Sequence, residues 1–300
     1  MDLISILKRI ARIPLLNIIR EHLWAVYGRY VFWLSRMGKA KTINFSQQCP
    51  LLLVTIAFNH EELIKKQIEM VKHHIKNTPY HHIIVDNSSD NSKRKAIKAV
   101  CDSMEVEYFA TPRYFTWLTW NALFSPSYSH GAALNWAYYH IIQSSKPKHF
   151  VLLDHDIIPI KPFDFIDALG PQDFYGLDRL RECGWYLWPG WCIFRFDAIA
   201  DKKVDFSPVY IKHAYLDAGG RNFLSIFCNY YRTDLRFANP ETKRIRFNTP
   251  LQTQDDVYHG DCIQIIDNSW MHIINGSNYA RIPGKENMVS DILQNLIKNQ

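Results

Sequence analysis

Short apolar runs that end abruptly in a polar side chain constrain this chain most. Leu51–Phe58 runs into Asn59, Ile83-Ile84-Val85 into Asp86, and Phe150-Val151-Leu152-Leu153 into Asp154. A strand that is apolar at every position must be covered on both faces, which points to a parallel sheet packed between helices. The intervening segments supply those helices. Glu61–Ile75 has apolar residues at 63, 64, 68, 71 and 75, and Asp90–Cys101 is a second helix with Asp90 placed as its N-cap. Val106–Phe109 reads as a third strand, His130–Ile142 as a helix and His149–Leu153 as a fourth strand. The order β-α-β-α-β…α-β predicts an α/β fold with a doubly wound, mostly parallel sheet flanked by helices. Ligands of such sheets sit beyond the carboxyl ends of the strands, where Asn59, Asp86 and Asp154-His155-Asp156 fall.

The remainder is less regular. Residues 111–128 read as a long loop with some helix, 170–262 as an aromatic-rich subdomain built onto the same sheet, and 286–298 as a short terminal helix. No Gly-x-Gly-x-x-Gly is present, and Ala57-Phe58-Asn59-His60-Glu61 has no glycine. A dinucleotide-binding dehydrogenase and a nucleotidyltransferase with a glycine-rich phosphate loop are therefore disfavoured.

Charge is unevenly distributed. Residues 1–42 contain eight bases and two acids, which accounts for the whole net charge of +6. The neutral remainder argues against a nucleic-acid-binding face on the body. In the basic arm Leu3, Leu7, Ile10 and Ile13 share a face opposite Lys8, Arg9 and Arg12. Beyond Pro14 the apolar spacing continues through Leu16, Ile19, Leu23, Val26, Tyr27, Tyr30 and Leu34. Bases and Pro14 interrupt every stretch before it reaches a spanning length, and no signal-peptide cleavage pattern follows. Residues 1–42 thus read as a helix lying on an anionic membrane surface, or as one packed on the body or on a partner chain. The expected location is cytoplasmic and peripheral to a membrane. Six cysteines without a Cys-x-x-Cys pair read as reduced, mostly buried thiols.

Two carboxylates one residue apart at the end of a buried strand can approach one hard divalent ion, Mg²⁺ or Mn²⁺, and the phosphates it carries. Asp154 and Asp156 have that spacing, although turns also use aspartate freely. Asp86 can accept from a base N–H or a ribose hydroxyl, or close an Asx-turn before the next helix. Residues Gly184–Trp191 carry three tryptophans that could stack on a sugar ring or form core beneath a site. Arg179, Arg181 and Arg281 are loop cations able to meet phosphate. His73-His74 and His81-His82 read as structural or solvated pairs.

Residues 51–160 resemble the nucleotide-binding half of a family 2 glycosyltransferase of the GT-A fold. The resemblance lies in Leu53–Asn59, Ile83–Ser89, Gly131-Ala132-Ala133-Leu134-Asn135 and Val151–Asp156, in that order. It implies that Thr55 and Phe58, with Asn59 beside them, flank the nucleobase and that Asp86 binds it. It further implies that Asp154 meets the ribose or the metal, and Asp156 the metal on the donor diphosphate. The helix starting near Gly131 would pack beside the donor. On the acceptor side the resemblance implies an acidic general base, for which Asp217 in Leu216-Asp217-Ala218-Gly219-Gly220 is at a fitting distance; Asp255 and Asp256 are alternatives. It also implies a C-terminal histidine on the metal or diphosphate, His272 first and His259 second.

The resemblance implies a metal-dependent inverting glycosyltransferase, using Mn²⁺ or Mg²⁺ and a nucleotide-sugar donor. The acceptor would be a hydroxyl of a glycan or a lipid-linked molecule. A non-catalytic, membrane-attached nucleotide- or carbohydrate-binding module is the alternative from another class. The expected organisation is a basic arm at 1–46 and one catalytic domain at 47–300. Within it, 47–160 would bind the nucleotide-sugar and 161–300 the acceptor.

Overall fold

The computed structural model describes residues 14–39, 41–43, 50–119, 127–211, 214–244, 262–274 and 285–298. Asp255, Asp256, His259, Arg281, Cys49 and the first part of the basic arm lie outside the described residues. The chain begins with helix α1 (Pro14–Ser35), and proline at its first position suits a helix start. A regular alternation follows: β1 (Leu51–Ala57), α2 (Glu61–His74), β2 (Tyr80–Asp86), α3 (Asn91–Ser103) and β3 (Glu107–Ala110). Asp90 is the N-cap of α3, its carboxylate accepting from the Ser92 N–H at 2.7 Å. Next come the short α4 (Tyr114–Thr119) and α5 (Ser127–Ala137). The latter continues through a π-helical turn, Tyr138–Ile142, so the expected helix is present with a wider register at its end.

β4 (His149–Asp154) is the fourth parallel strand. The six-stranded central sheet has the order β3-β2-β1-β4-β7-β6, where β6 is Phe174–Arg181 and β7 is Gly184–Arg195. β1 pairs in parallel with β2 and β4, and β2 with β3; β7 is antiparallel to β4 and β6. This is the α/β, doubly wound, mostly parallel sheet flanked by helices. Every residue of β1 is buried, and the strand feeds two cores. Leu52, Val54 and Ile56 pack with Ala132, Ala133 and Trp136 of α5. On the opposite face Leu51 and Leu53 pack with Val71 and Val151, and Ala57 with Ile64, Ile68 and Ile97 of α2 and α3.

A second, antiparallel sheet has the order β10-β11-β12-β5, with β5 at Ile157–Pro159, β10 at Pro240–Arg244, β11 at Cys262–Ile266 and β12 at Trp270–Ile273. The short helices α6 (Phe165–Leu169) and α7 (Phe196–Ile199) and the hairpin β8 (Val209–Ile211) with β9 (Ala214–Leu216) complete the irregular half. The terminal helix α8 (Lys285–Lys298) buries Met288 and Val289 against Ile158, Ile263 and Met271. His155 and Asp156 alone join β4 to β5, so the Asp-x-Asp turn is where the chain leaves one sheet for the other.

Helix α1 packs on this body. The Trp24 ring stands 5.3, 5.6 and 6.4 Å from those of Tyr128, Tyr210 and Tyr215, and Phe32 stands 5.7 Å from Tyr139. The buried face carries Gly28, Val31, Phe32 and Ser35, with Trp24, Tyr27 and Leu34 partly buried. Leu23, Val26 and Tyr30, expected on the same face as Tyr27 and Leu34, are exposed instead. Gly28 sits close to the body: a Cβ there would meet Nη2 of Arg221, the end of a flexible side chain, at 2.6 Å. Cys101, Cys192 and Cys262 are buried, Cys183 is half-buried and Cys228 exposed.

Candidate active site

The Asp-x-Asp turn stands at the carboxyl edge of the central sheet. Asp154 ends β4, and its Oδ1 lies 2.9 Å from Nε2 of His130 on α5. Burial alone would raise the Asp154 carboxyl, but His130 outweighs it and holds it below the usual carboxylate range. Burial likewise opposes charge on His130, and Asp154 outweighs it, so the imidazole is raised. The pair favours the imidazolium and the carboxylate together, and Asp217 and Asp156 act in the same direction on the His130 side. The other oxygen of Asp154 lies over Gly190: a Cβ there would meet Oδ2 at 2.6 Å and would also meet the Trp188 ring. Only glycine lets β7 bring Trp188 and Asp154 together.

Asp156 is buried, and its Oδ1 stands 4.0 Å from Nε2 of His272 on β12. The Asp156 carbonyl accepts from the Ile273 N–H at 2.9 Å, which fixes the turn against β12. The His272 ring lies 4.9 Å from Trp188, whose ring also carries the Arg179 guanidinium at 5.2 Å. Burial lowers the Arg179 pKa, and Asp217 is among the groups that counter it. Asp217 therefore lies within electrostatic reach of both Arg179 and His130. Asp154 and Asp156, His272 and Asp217, singled out in the sequence from three separate segments, lie within electrostatic reach of one another's partners in the fold.

The supports explain the placement. Gln67 of α2 is fully buried, and its Nε2 donates to the carbonyls of Asp154 and Ile157, both at 2.7 Å. Its Oε1 accepts from the Thr55 hydroxyl at 2.8 Å, and Thr55 Oγ1 stands 3.0 Å from His82 Nε2. The Thr55 hydroxyl has one proton, already given to Gln67, so His82 is the donor in that contact. On the other side of the cleft, fully buried Asn135 donates to Asp205 Oδ1 at 3.2 Å and accepts from the Phe206 N–H at 2.8 Å. The Phe206 carbonyl in turn accepts from the Gly219 N–H at 2.7 Å. Gly219 has φ +88° and packs 2.9 Å from Pro189 through the position a Cβ would occupy. The turn carrying Asp217 is thus tied to α5 and to β7, and its Asp217 N–H is held by the Tyr186 hydroxyl at 3.1 Å.

The strand-end residues expected around the nucleobase are placed differently. Thr55 is enclosed in the Gln67 network and presents no hydroxyl to the cleft. Asp86 is also fully buried, with Oδ1 accepting from the Ser88 N–H at 2.8 Å and Oδ2 from the Tyr108 hydroxyl at 2.7 Å. That arrangement is the Asx-type closure given above as the other reading of Asp86. Asn59 adopts φ 56°, which asparagine tolerates, and its Oδ1 accepts from the Ser89 and Asp90 N–H groups at 3.1 and 3.2 Å. Phe58 is half-buried at the end of β1. His82 belongs to the core network, whereas His81 meets Glu107 at 2.9 Å on the surface. Trp185 and Trp191 are core, and Trp188 alone of the three lies in the cleft beside His272.

His130 and Gln67 escaped sequence reasoning. The small residues Gly131, Ala132 and Ala133 were a signal for His130. A Cβ on Gly131 would meet the Phe206 carbonyl at 2.7 Å, and so tight a contact carries the preceding residue into the cleft. Gln67 had no signal beyond being polar on the buried face of an amphipathic helix.

Among the described residues, no group of three or more His, Cys, Asp or Glu side chains forms a ready-made ion cage. The donors present are one buried carboxylate and one imidazole, Asp156 and His272, with Asp154 engaged by His130. Such an oxygen and nitrogen pair suits Mn²⁺ when phosphate oxygens complete its shell.

No family model matches the chain, and no curated protein matches it. Among solved structures it is similar to the mannosyltransferase Ktr4p from S. cerevisiae, with 11% identity, 60% of this chain and 67% of that chain covered, and a TM-score of 0.36. It is similar to the mannosyltransferase PcManGT from Pyrobaculum calidifontis, solved with GDP-Man and Mn²⁺, with 11% identity, 57% and 53% covered, and a TM-score of 0.34. S. aureus TarS gives 13% identity, 52% and 30% covered, and a TM-score of 0.34. The chain thus spans about half of PcManGT and under a third of TarS. At these scores the likeness is partial, and the functional reading rests on the site itself.

Proposed function

We propose that this chain is a metal-dependent glycosyltransferase that moves a sugar from a nucleotide-sugar donor to an acceptor hydroxyl of a glycan or lipid-linked molecule. The observation that carries this reading is the convergence of Asp154, Asp156, His130, His272, Asp217, Arg179 and Trp188 at the carboxyl edge of a doubly wound sheet. The resemblance of residues 51–160 to family 2 glycosyltransferases of the GT-A fold supports the same assignment. Residues 47–160 form the donor half and 161–300 the acceptor half in this reading, with the arm at 1–46 placing the protein on the cytoplasmic face of a membrane.

Asp156 and His272 would hold Mn²⁺ or Mg²⁺, which when bound offsets charge developing on the departing diphosphate. Arg179, braced on Trp188, adds a fixed cation on the same side. His130 keeps Asp154 ionised and oriented toward the donor ribose. Phe58 and Asn59 border the nucleobase. Thr55 and Asp86 serve that edge from beneath, by fixing the loops rather than touching the base. Asp217 on the facing turn accepts the proton of the acceptor hydroxyl as it attacks the anomeric carbon. Attack from the face opposite the leaving group inverts the anomeric centre.

Incubation with Mn²⁺ and a panel of nucleotide-sugars should release the nucleoside diphosphate from one of them. Asp156→Ala should abolish metal-dependent nucleotide binding, and Asp217→Asn should keep that binding while losing transfer. Nucleotide binding with no turnover for any donor or acceptor would move the assignment to a binding module.

A further inference from the structure

Helix α1 has two apolar faces, and the body covers only one. On the other, Leu23, Val26, Tyr30, Trp33 and Met37 are spaced by three and four residues, and their exposures are 64, 64, 44, 57 and 45%. At 1.5 Å per residue the helical part from Leu23 to Trp33 is about 15 Å long, and Met37 extends the row just past the end of α1. The Tyr30 and Trp33 rings stack at 6.3 Å along it, presenting one continuous aromatic surface. Isolated exposed apolar residues are ordinary, but an aligned row of this length is not.

The charges beside the stripe have one sign. Arg29 on α1 and Lys39 just past its end are exposed, and the exposed Arg36 and Lys41 turn their charges over aromatic rings, Arg36 over Phe32 and Tyr139 and Lys41 over Phe109 and Trp136. Glu21, the one acid of α1, is half-buried and lies toward the body side of the helix by its spacing. The residues beyond 42 carry no net charge, so the positive potential belongs to this end of the molecule. α1 itself is not long and apolar enough to cross a bilayer; among the described residues no helix is. An apolar row with aromatic residues, bordered by arginine and lysine, has the composition of a helix lying in a lipid interface.

We infer that the outer face of α1, through Leu23, Val26, Tyr30, Trp33 and Met37, docks this protein on an anionic lipid bilayer while its inner face holds the body. The inner contacts make α1 a rigid bracket and not a tether. Docking therefore fixes the orientation of the body on the membrane as well as its distance. This surface stands independently of the transferase reading, because vesicle binding is measured without donor or acceptor.

The test uses the full chain and co-sedimentation with vesicles of phosphatidylcholine alone or of equal parts phosphatidylcholine and phosphatidylglycerol. Binding is expected on the mixed vesicles and not on the neutral ones, and high salt should weaken it. The double variant Val26→Ser, Trp33→Ser should keep its circular dichroism and melting temperature and lose at least about tenfold in partitioning. Arg29→Gln with Lys39→Gln should weaken binding to the mixed vesicles only. Undiminished binding by a folded double variant overturns the inference, and so does equal binding to both vesicle types. Self-association in sedimentation velocity that the double variant abolishes, without vesicle binding, also overturns it and assigns the stripe to a second copy of the chain.

Discussion

Replacement of Gln67 by methionine tests how the Asp-x-Asp turn is held. The side chains are similar in size and the position is fully buried, so packing changes little. What changes is hydrogen bonding. Gln67 donates to the carbonyls of Asp154 and Ile157 and accepts from Thr55. Each such bond has a net worth of about 1 kcal/mol, and stranding a buried partner costs about 1–3 kcal/mol. Carbonyls have a second lone pair and can recover part of this. The Thr55 hydroxyl can recover its bond only if His82 moves its proton from Nε2 to Nδ1. The expected destabilisation is about 3–5 kcal/mol, read by urea denaturation with an unchanged m-value. Nitrogen-15 shifts of the His82 ring should report the tautomer switch. Thr55→Val should cost less, about 1–2 kcal/mol, because the two bonds to the turn survive. A Gln67→Met loss below about 1 kcal/mol would refute the reasoning and show that the turn is held by β12 and the sheet alone.

Acid should weaken the fold through buried histidine. His82 is pushed down to about 3, first by burial, so between pH 6.5 and that value the unfolded chain binds the proton and the folded chain does not. Stability therefore falls as pH drops through 6.5, by about 2 kcal/mol from this residue alone at pH 5, and denaturation at both pH values with His82→Gln as control measures it. Gly190→Ala should displace Trp188 and Asp154 together, costing about 1–3 kcal/mol and at least tenfold in Mn²⁺-dependent nucleotide affinity by calorimetry. Gly131→Ala drives a Cβ against the Phe206 backbone and should cost more than about 2 kcal/mol by urea denaturation. Trp24→Ala should cost about 2 kcal/mol by undoing the ring cluster under α1, with a lower melting temperature as the readout.

The parallel core was legible because its strands are buried on both faces. That burial forces continuous apolar runs, and their polar ends mark the edge where ligands sit. The same rule sets Thr55 and Asp86 beside a nucleobase, while in the fold both are engaged in internal hydrogen bonds. A polar residue on a central strand signals either a ligand contact or an internal hydrogen-bond network, and only the partner's position distinguishes them. Gln67 and Tyr108 are those partners, and neither is adjacent in sequence. The antiparallel half was obscure for a related reason. β5 pairs with β12 across more than a hundred residues, so no local pattern links them. The β6–β7 hairpin turns on Glu182 and Cys183, which lack the usual Asn-Gly signature. In α1 the apolar residues surround more than one side, so their spacing alone does not select the face that Trp24 and Phe32 carry onto the body.

The passage from β4 to β5 has a mechanical consequence. Asp154 is anchored in the large sheet, while Asp156 is tied to β12 in the small one. The separation of the two carboxylates therefore measures the angle between the sheets. An ion or diphosphate that engages both would clamp that angle, and twisting one sheet against the other would pry the pair apart. Each sheet carries one of the two carboxylates, and Gln67 spans the step between them through the carbonyls of Asp154 and Ile157.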